Sequence, residues 1–146
     1  SPPAKAGNPS GLPIPRWVSI RAREANLRTG PGARYPIDWV LQRRKLPAEI
    51  VGEFENWRQI KVQDGTVGWV HKSMLSGQRW VIIRKGKQTL RRNAKPDAPA
   101  IAQIEKKVIG NLEKCDASWC KIDFSGFSGW MRHNQIWGVY PRETVK

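Results

Sequence analysis

Apolar and polar residues alternate in two stretches of the chain that share one form. Residues 57–70 read as a strand, an Asp-Gly turn and a second strand that ends in Gly-Trp-Val. An Asp-Gly pair between alternating apolar runs is a strong signal for a β-hairpin. Residues 119–131 repeat the same order of strand, glycine turn and Gly-Trp strand. The pattern therefore predicts two copies of one small β unit.

The repeat extends through most of the chain. Trp17–Arg21 recurs 63 positions later as Trp80–Arg84, and after two single-residue slips Gly68-Trp69 recurs as Gly129-Trp130. A sustained register of this kind indicates a tandem duplication. We predict a Pro-rich flexible linker (1–16), a first barrel (17–79), a second barrel (80–142) and a short tail (143–146).

Within each unit the apolar period is two, and no window carries a helical stripe. Five or six short strands in about 60 residues predict a small, bent barrel, because closure removes exposed edges. Single helical turns are expected near 73–75 and 134–136. The predicted fold class is all-β, with two tandem small β-barrels packed together as one rigid body. Four tryptophans that recur at matched positions are predicted to be structural and to pack each barrel: Trp57, Trp69, Trp119 and Trp130.

The chain is basic, with 26 Lys and Arg against 12 Asp and Glu and a formal net charge of +14. Such a surface attracts polyanions, including nucleic acid, anionic lipid and acidic glycan, and the sign alone does not choose among them. The sequence contains no apolar run of about 18 residues, so no transmembrane segment is predicted. The first residue is Ser1 rather than Met, which fits either a cleaved leader or a trimmed chain.

Several motifs resemble the bacterial SH3-like (SH3b) domain family, as a tandem pair of the exported cell-envelope subgroup. They are Leu27-Arg28-x-Gly30-Pro31-Gly32, Gly68-Trp69-Val70 and Ile136–Tyr140. The resemblance implies small SH3-like barrels that act as targeting or binding modules, often beside a peptidoglycan hydrolase. It also implies a recognition groove near the first long loop. The second unit has Asn93–Pro96 in place of the Gly-Pro-Gly turn, so a ligand surface on that turn is expected in one copy only.

Cys115 and Cys120 align with Glu53 and Arg58, and both pairs flank the same hairpin. Facing residues in a non-hydrogen-bonded antiparallel pair have the separation that a disulfide needs. We predict a disulfide in the second unit and an ion pair in the first, with two free thiols as the alternative. A disulfide indicates an oxidising, periplasmic or otherwise exported location. No metal site is expected, because two cysteines and two scattered histidines lack ligand spacing.

Catalytic patterns are missing from the sequence. A cysteine-histidine pair can be drawn only from Cys120 and His133, and a thiol locked in a disulfide is no nucleophile. No Ser-His-Asp order or phosphate-binding loop is found. We expect a non-enzyme without a cofactor, in which His71 and His133 are surface residues.

Aromatic and cationic residues collect around the first long loop. Aromatic faces beside Arg suit sugars, stacked bases or Pro-rich peptides, although solvated charge is the simpler interpretation of the arginines. Trp39 and Trp137 align with Ala102 and Ser76, which favours contact surface over core. The ligand-binding candidates are Arg28, Arg34, Tyr35, Trp39, Arg43, Arg44 and Trp137.

The expected function is non-catalytic binding in the cell envelope, to peptidoglycan or an associated anionic polymer. The main alternative is a periplasmic adaptor that docks extended or Pro-rich protein segments. Nucleic acid is the least favoured partner, because it fits a disulfide poorly.

Overall fold

The computed structural model describes residues 9–146, which form two compact β units with a boundary between Gln78 and Arg79. Each unit contains one seven-stranded antiparallel sheet, and two short 3₁₀ turns are the only helical elements among the described residues. The predicted all-β class is confirmed. The packing of the two units into one rigid body stays a prediction.

The strands of the first sheet are β1 (Arg16–Ile20), β2 (Ala25–Arg28), β3 (Ile37–Leu41), β4 (Pro47–Phe54), β5 (Trp57–Lys61), β6 (Val67–His71) and β7 (Leu75–Ser76). Their order in the sheet is β3-β2-β6-β5-β4-β1-β7. A 3₁₀ turn over Lys72–Met74 leads from β6 into β7, one residue earlier than the predicted helical turn.

The strands of the second sheet are β8 (Trp80–Ile83), β9 (Gln88–Arg91), β10 (Ala100–Ile104), β11 (Ile109–Cys115), β12 (Trp119–Phe124), β13 (Phe127–Arg132) and β14 (Ile136–Trp137). They repeat the order of the first sheet as β10-β9-β13-β12-β11-β8-β14, and the 3₁₀ turn covers His133–Gln135. Trp39 faces Leu27 and Ala102 faces Leu90, as the duplication requires.

The cores are mainly aliphatic, and Trp57 and Trp69 of the first unit lie outside them. Successive side chains of a strand point to opposite faces. Ile60 and Val70 are fully buried, so Trp57 and Trp69 on the same strands face outward and are half-buried. Trp119, which matches Trp57, is buried with 7% exposure. That the four matched tryptophans pack each barrel stays a prediction.

The Gly-Trp pair of each unit marks a close approach of two strands. A Cβ added at Gly68 would lie 2.8 Å from the Cβ of Leu27, and one added at Gly129 would lie 2.6 Å from the carbonyl oxygen of Arg91. Only glycine allows β2 and β6, or β9 and β13, to pack this closely. This requirement explains why the pair recurs in both copies.

Both ends of the described chain contact a barrel. The Ser10 hydroxyl donates to Glu53 over 2.7 Å, and β1 begins at Arg16, so the linker predicted over 1–16 ends in ordered contacts; residues 1–8 lie outside the described residues. The predicted tail over 143–146 is not separate from the barrel. Val145 exchanges two backbone hydrogen bonds of 2.8 and 2.9 Å with Cys115 and so extends the second sheet.

Candidate ligand-binding surface

The long loop between β2 and β3 is shaped by the side chain of Arg28. Its Nη1 donates to the carbonyl oxygens of Ala33 and Tyr35, each over 3.0 Å. The Thr29 amide donates to the carbonyl of Pro36 and closes the base of the loop. Arg28, predicted as a ligand-binding residue, therefore uses its guanidinium to hold the loop backbone.

The same loop geometry recurs in the second unit despite its different sequence. Arg91 donates to the carbonyl of Ala98 over 2.8 Å, and the Arg92 amide donates to Pro99 over 2.9 Å. The backbone of the loop therefore does not depend on the Gly-Pro-Gly turn. The difference lies in the side chain, because Tyr35 of the first unit corresponds to the small, buried Ala98 of the second.

Tyr35 lies flat against the glycines of its loop. A Cβ added at Gly30 would meet the ring at 2.5 Å, so the ring requires glycine at this position. The Arg34 guanidinium lies 5.2 Å from the ring centroid, and its Nη2 donates to the Tyr35 hydroxyl over 3.4 Å. This hydrogen bond raises the pKa of Arg34.

Strand β3 follows this loop and forms one edge of the first sheet. Three of its apolar side chains are exposed, with fractions of 47% for Ile37, 57% for Trp39 and 44% for Val40. An exposed apolar edge strand is a template for pairing with another chain, and proteins usually avoid it. Ile37 and Val40 were not predicted as site residues. The sequence signal that could have identified them is a strand with an apolar residue on each face.

We define the β3 surface as Arg34, Tyr35, Ile37 and Trp39; Val40 lies on the opposite face of the strand from Trp39. This surface connects the loop to the edge strand, because Ile37 pairs with Arg28 of the neighbouring strand β2 and Trp39 pairs with Leu27 of the same strand. Two further candidates, Arg43 and Arg44, are exposed in the turn between β3 and β4 and lie outside these contacts. The remaining candidate, Trp137, is half-buried on β14 of the other unit, where it faces Ile82.

Trp57 and Trp119 form matched contacts with residues of the next strand. Trp57 makes an edge-to-face contact with His71 at 5.4 Å, and at the equivalent position Arg132 lies 4.3 Å above Trp119. Lys114 lies 5.6 Å from the centroid of Trp130. Each cation–π contact of this kind covers an aromatic face that water would otherwise reach. These tryptophans therefore stabilise the outer face of the sheets.

The predicted disulfide between Cys115 and Cys120 is confirmed. Both backbone groups of Cys115 bond to Val145, so they point away from Cys120, as in a non-hydrogen-bonded pair. Glu53 faces Arg58 at the matched position of the first hairpin, with 3.3 Å between Oε2 and Nε. Two different links therefore close the same hairpin in the two copies.

Glu53 has partners in addition to Arg58, the arginine that faces it. Its side chain is fully buried, and Oε2 lies 2.8 Å from Nη1 of Arg16. Ser10 donates to it from both its hydroxyl and its amide. Burial alone would raise the pKa of Glu53, but the hydrogen bonds from Ser10 and Arg16 and the charge of Arg16 together lower it below 4.5. The carboxylate is thus stabilised in its ionised form.

This lowered pKa predicts a loss of stability in acid. A group whose folded pKa is depressed stabilises the fold above its unfolded pKa, and that contribution is lost as the pH falls through the folded value. We expect the difference in melting temperature between the native protein and Glu53→Gln to be constant from about pH 7 to 5.5 and to shrink below about pH 4.5. Thermal unfolding followed by circular dichroism measures it. A difference that stays constant down to about pH 3 would contradict this assignment.

His133 lies beside the disulfide. Its Nε2 is 2.8 Å from the carbonyl oxygen of Glu143 and donates to it. Potential ligand atoms of Cys115, Cys120 and His133 lie within 4.8 Å of one another. Both sulfurs are bonded to each other, so neither offers a thiolate to a metal or a substrate. In this oxidised state the grouping is a structural contact.

Among residues 9–146, no helix has the length and hydrophobicity needed to cross a lipid bilayer.

The sequence profile of the bacterial SH3 domain matches the chain twice, over residues 21–77 and 84–138. Each match falls within one of the two β units described above. The chain therefore belongs to the bacterial SH3 domain family and carries two such domains in tandem. No sequence among the curated proteins matches the chain.

Solved structures also resemble the chain. NlpC2 from Trichomonas vaginalis has a TM-score of 0.40 and 8% identity, with 87% of this chain and 49% of that chain covered. An NlpC/P60 family protein from Bacillus cereus ATCC 10987 has a TM-score of 0.39 and 12% identity, with 86% and 57% covered. This chain thus spans about half the length of these structures.

Proposed function

We propose that the protein is a non-catalytic binding module of the cell envelope that recognises peptidoglycan or an associated anionic polymer through the β3 surface. The observation that carries the proposal is Trp39, which is 57% exposed on an edge strand. It follows the Arg34–Tyr35 pair on a loop held by Arg28. A flat aromatic ring next to a cation suits the apolar face of a sugar and the carboxylates or phosphates attached to it.

The chemistry of the chain supports an exported location and a binding role. The disulfide favours an oxidising compartment. The net charge of +14 favours anionic polymers and makes the binding sensitive to salt. Bacterial SH3 domains are small β-barrels suited to recognition, and the described cysteine–histidine grouping has no free thiolate.

The test is co-sedimentation with purified peptidoglycan sacculi at low and moderate salt. We expect the native protein to pellet at both salts and Trp39→Ala to lose about 5- to 140-fold in apparent affinity, because stacking on one aromatic ring contributes about 1–3 kcal/mol. Phe54→Ala is the matched control, since Phe54 is 50% exposed in the same unit but lies on another hairpin. Recovery of all three proteins in the supernatant would refute wall recognition.

A protein-interaction adaptor is the second candidate, and the free edge of β3 favours it. An extended segment can add to such an edge as a further strand, with Ile37 and Val40 next to it. A charged residue on an edge strand opposes this pairing. Val40→Lys should therefore abolish binding of an extended Pro-rich peptide while leaving sacculus binding through Trp39 intact. Equal peptide binding by Val40→Lys and the native protein would exclude strand addition.

A further inference from the structure

The second unit contains a cleft of about 360 Å³ whose lining is rich in hydrogen-bond donors. Small-molecule sites have volumes of about 300–1,000 Å³. Four segments form the cleft: the end of β8, the β11–β12 turn, the start of the 3₁₀ turn and the chain after β14. The polar lining residues are Arg84, Ser118, Arg132, His133, Asn134 and Arg142.

No described residue that lines this cleft carries a carboxylate. Two acidic residues that neighbour the lining in sequence bond to partners of their own. Asp116 accepts the amides of Ser118 and Trp119, each over 2.7 Å. Glu143 accepts two hydrogen bonds from Arg79, of 2.9 and 3.0 Å. The lining of the cleft therefore combines several cations with no carboxylate.

Arg142 is held at the cleft by an unusual turn. The Glu143 amide donates to the carbonyl of Tyr140 over 3.0 Å, and the Tyr140 amide donates to the Glu143 carboxylate over 2.9 Å. Arg142 is the third residue of this turn and has a φ of 61°. This left-handed position favours glycine. Strained non-glycine residues persist where the surroundings fix them, and they cluster at functional sites.

Two further lining residues are also fixed. Arg132 is stacked 4.3 Å above Trp119. His133 donates from Nε2 to the carbonyl of Glu143, which ties the 3₁₀ turn to the same C-terminal segment that carries Arg142. Donors held in place before a ligand arrives lose little entropy on binding. The cleft is therefore preorganised on two of its sides.

The first unit also has a cleft, of about 410 Å³, and Lys72, which aligns with His133, lines it. Its other two lining cations, Arg16 and Arg58, both pair with Glu53. The clefts of the two units therefore differ in their cations.

We propose that this cleft binds a phosphoryl group carried by a small molecule or a headgroup. Its three guanidinium groups come from separate segments, the end of β8, the end of β13 and the C-terminal turn. A tetrahedral phosphate offers oxygens in several directions and accepts forked hydrogen bonds from arginine, whereas a carboxylate has two oxygens in one plane. This site is distinct from the β3 surface and does not depend on wall recognition.

The test is an NMR titration of the ¹⁵N-labelled protein, over residues 1–146, with inorganic phosphate. We expect saturable shifts of the Ser118, Asn134 and Arg142 amides. Acetate at equal ionic strength should leave them in place. Arg142→Gly should weaken binding at least about tenfold, because a charge-assisted hydrogen bond is lost, while the fold is retained by the residue that the turn favours. Arg84→Gln gives an independent second variant.

The matched control is Arg21→Gln with Arg23→Gln, which removes two exposed charges from the first unit. It should bind phosphate as the native protein does. Glycerol 3-phosphate and phosphatidylglycerol vesicles distinguish a free phosphate ester from a lipid headgroup, and saturable shifts with either support the site. Shifts that acetate reproduces, shifts that never saturate, or equal weakening by the control and the Arg142 variant would overturn the proposal.

Discussion

Replacing Glu53 by alanine should lower the free energy of unfolding of the first unit by about 3–5 kcal/mol. The side chain is fully buried and accepts from Ser10, Arg16 and Arg58. Removing one partner of a buried ion pair is costly because the remaining charges stay desolvated without compensation. Arg58 keeps its bonds to the carbonyls of Glu55 and Trp57, so the loss should lie near the lower end of that range.

The effect of Glu53→Ala can be measured and localised. A loss of about 3 kcal/mol in a domain of this size lowers its melting temperature by at least about 10 °C. Hydrogen exchange should rise in β1 and β4 and remain unchanged in β11 and β12. Glu24→Ala removes the same charge from an exposed position and is the control. Equal melting temperatures for the two variants would show that the buried carboxylate contributes no net stability.

Loss of the Cys115–Cys120 disulfide is the second large effect that we expect. The bond closes a loop over a sequence separation of five residues. Loop entropy for such a short closure corresponds to about 2 kcal/mol, on a chain-entropy model that neglects strain. Replacing both cysteines by alanine should therefore lower the melting temperature of the second unit by about 8–16 °C.

The disulfide prediction has an internal control, because a reducing agent should destabilise the native protein and leave the double alanine variant unchanged. The backbone bonds between Cys115 and Val145 depend on the position of the hairpin. Exchange at the Val145 amide should therefore accelerate together with the fall in melting temperature. A reduced native protein that melts at the temperature of the oxidised one would contradict the expected stabilisation.

The repeat made much of the fold predictable from the sequence. Aligning the two copies fixed the register of each hairpin, and that register brought Cys115 opposite Cys120 and Glu53 opposite Arg58. The strand pattern and the glycine turns are also local signals in the sequence. Local signals of this kind predict the structure correctly because hairpin partners are close in sequence.

Other features depend on contacts that the pattern does not encode. Ser10 and Arg16 reach Glu53 only because of the path of the N-terminal segment, and Val145 reaches Cys115 only because the chain turns at 140–143. The outward direction of Trp57 and Trp69 was not predicted, because recurrence carries no information on direction. The exposure of Trp39 was predicted, but that of Ile37 and Val40 was missed because an apolar strand looks the same at an edge and in a core.

The two links at the matched hairpins give the halves of this protein different chemical vulnerabilities. Protons weaken the first barrel through Glu53, whereas electrons delivered by a reductant weaken the second through its disulfide. Reduction should therefore weaken the second barrel selectively, whereas acid should weaken both barrels, because the pKa values of Asp116 and Glu143 in the second unit are lowered as well. Full maturation of the chain also requires an oxidant, which its N-terminal half does not need.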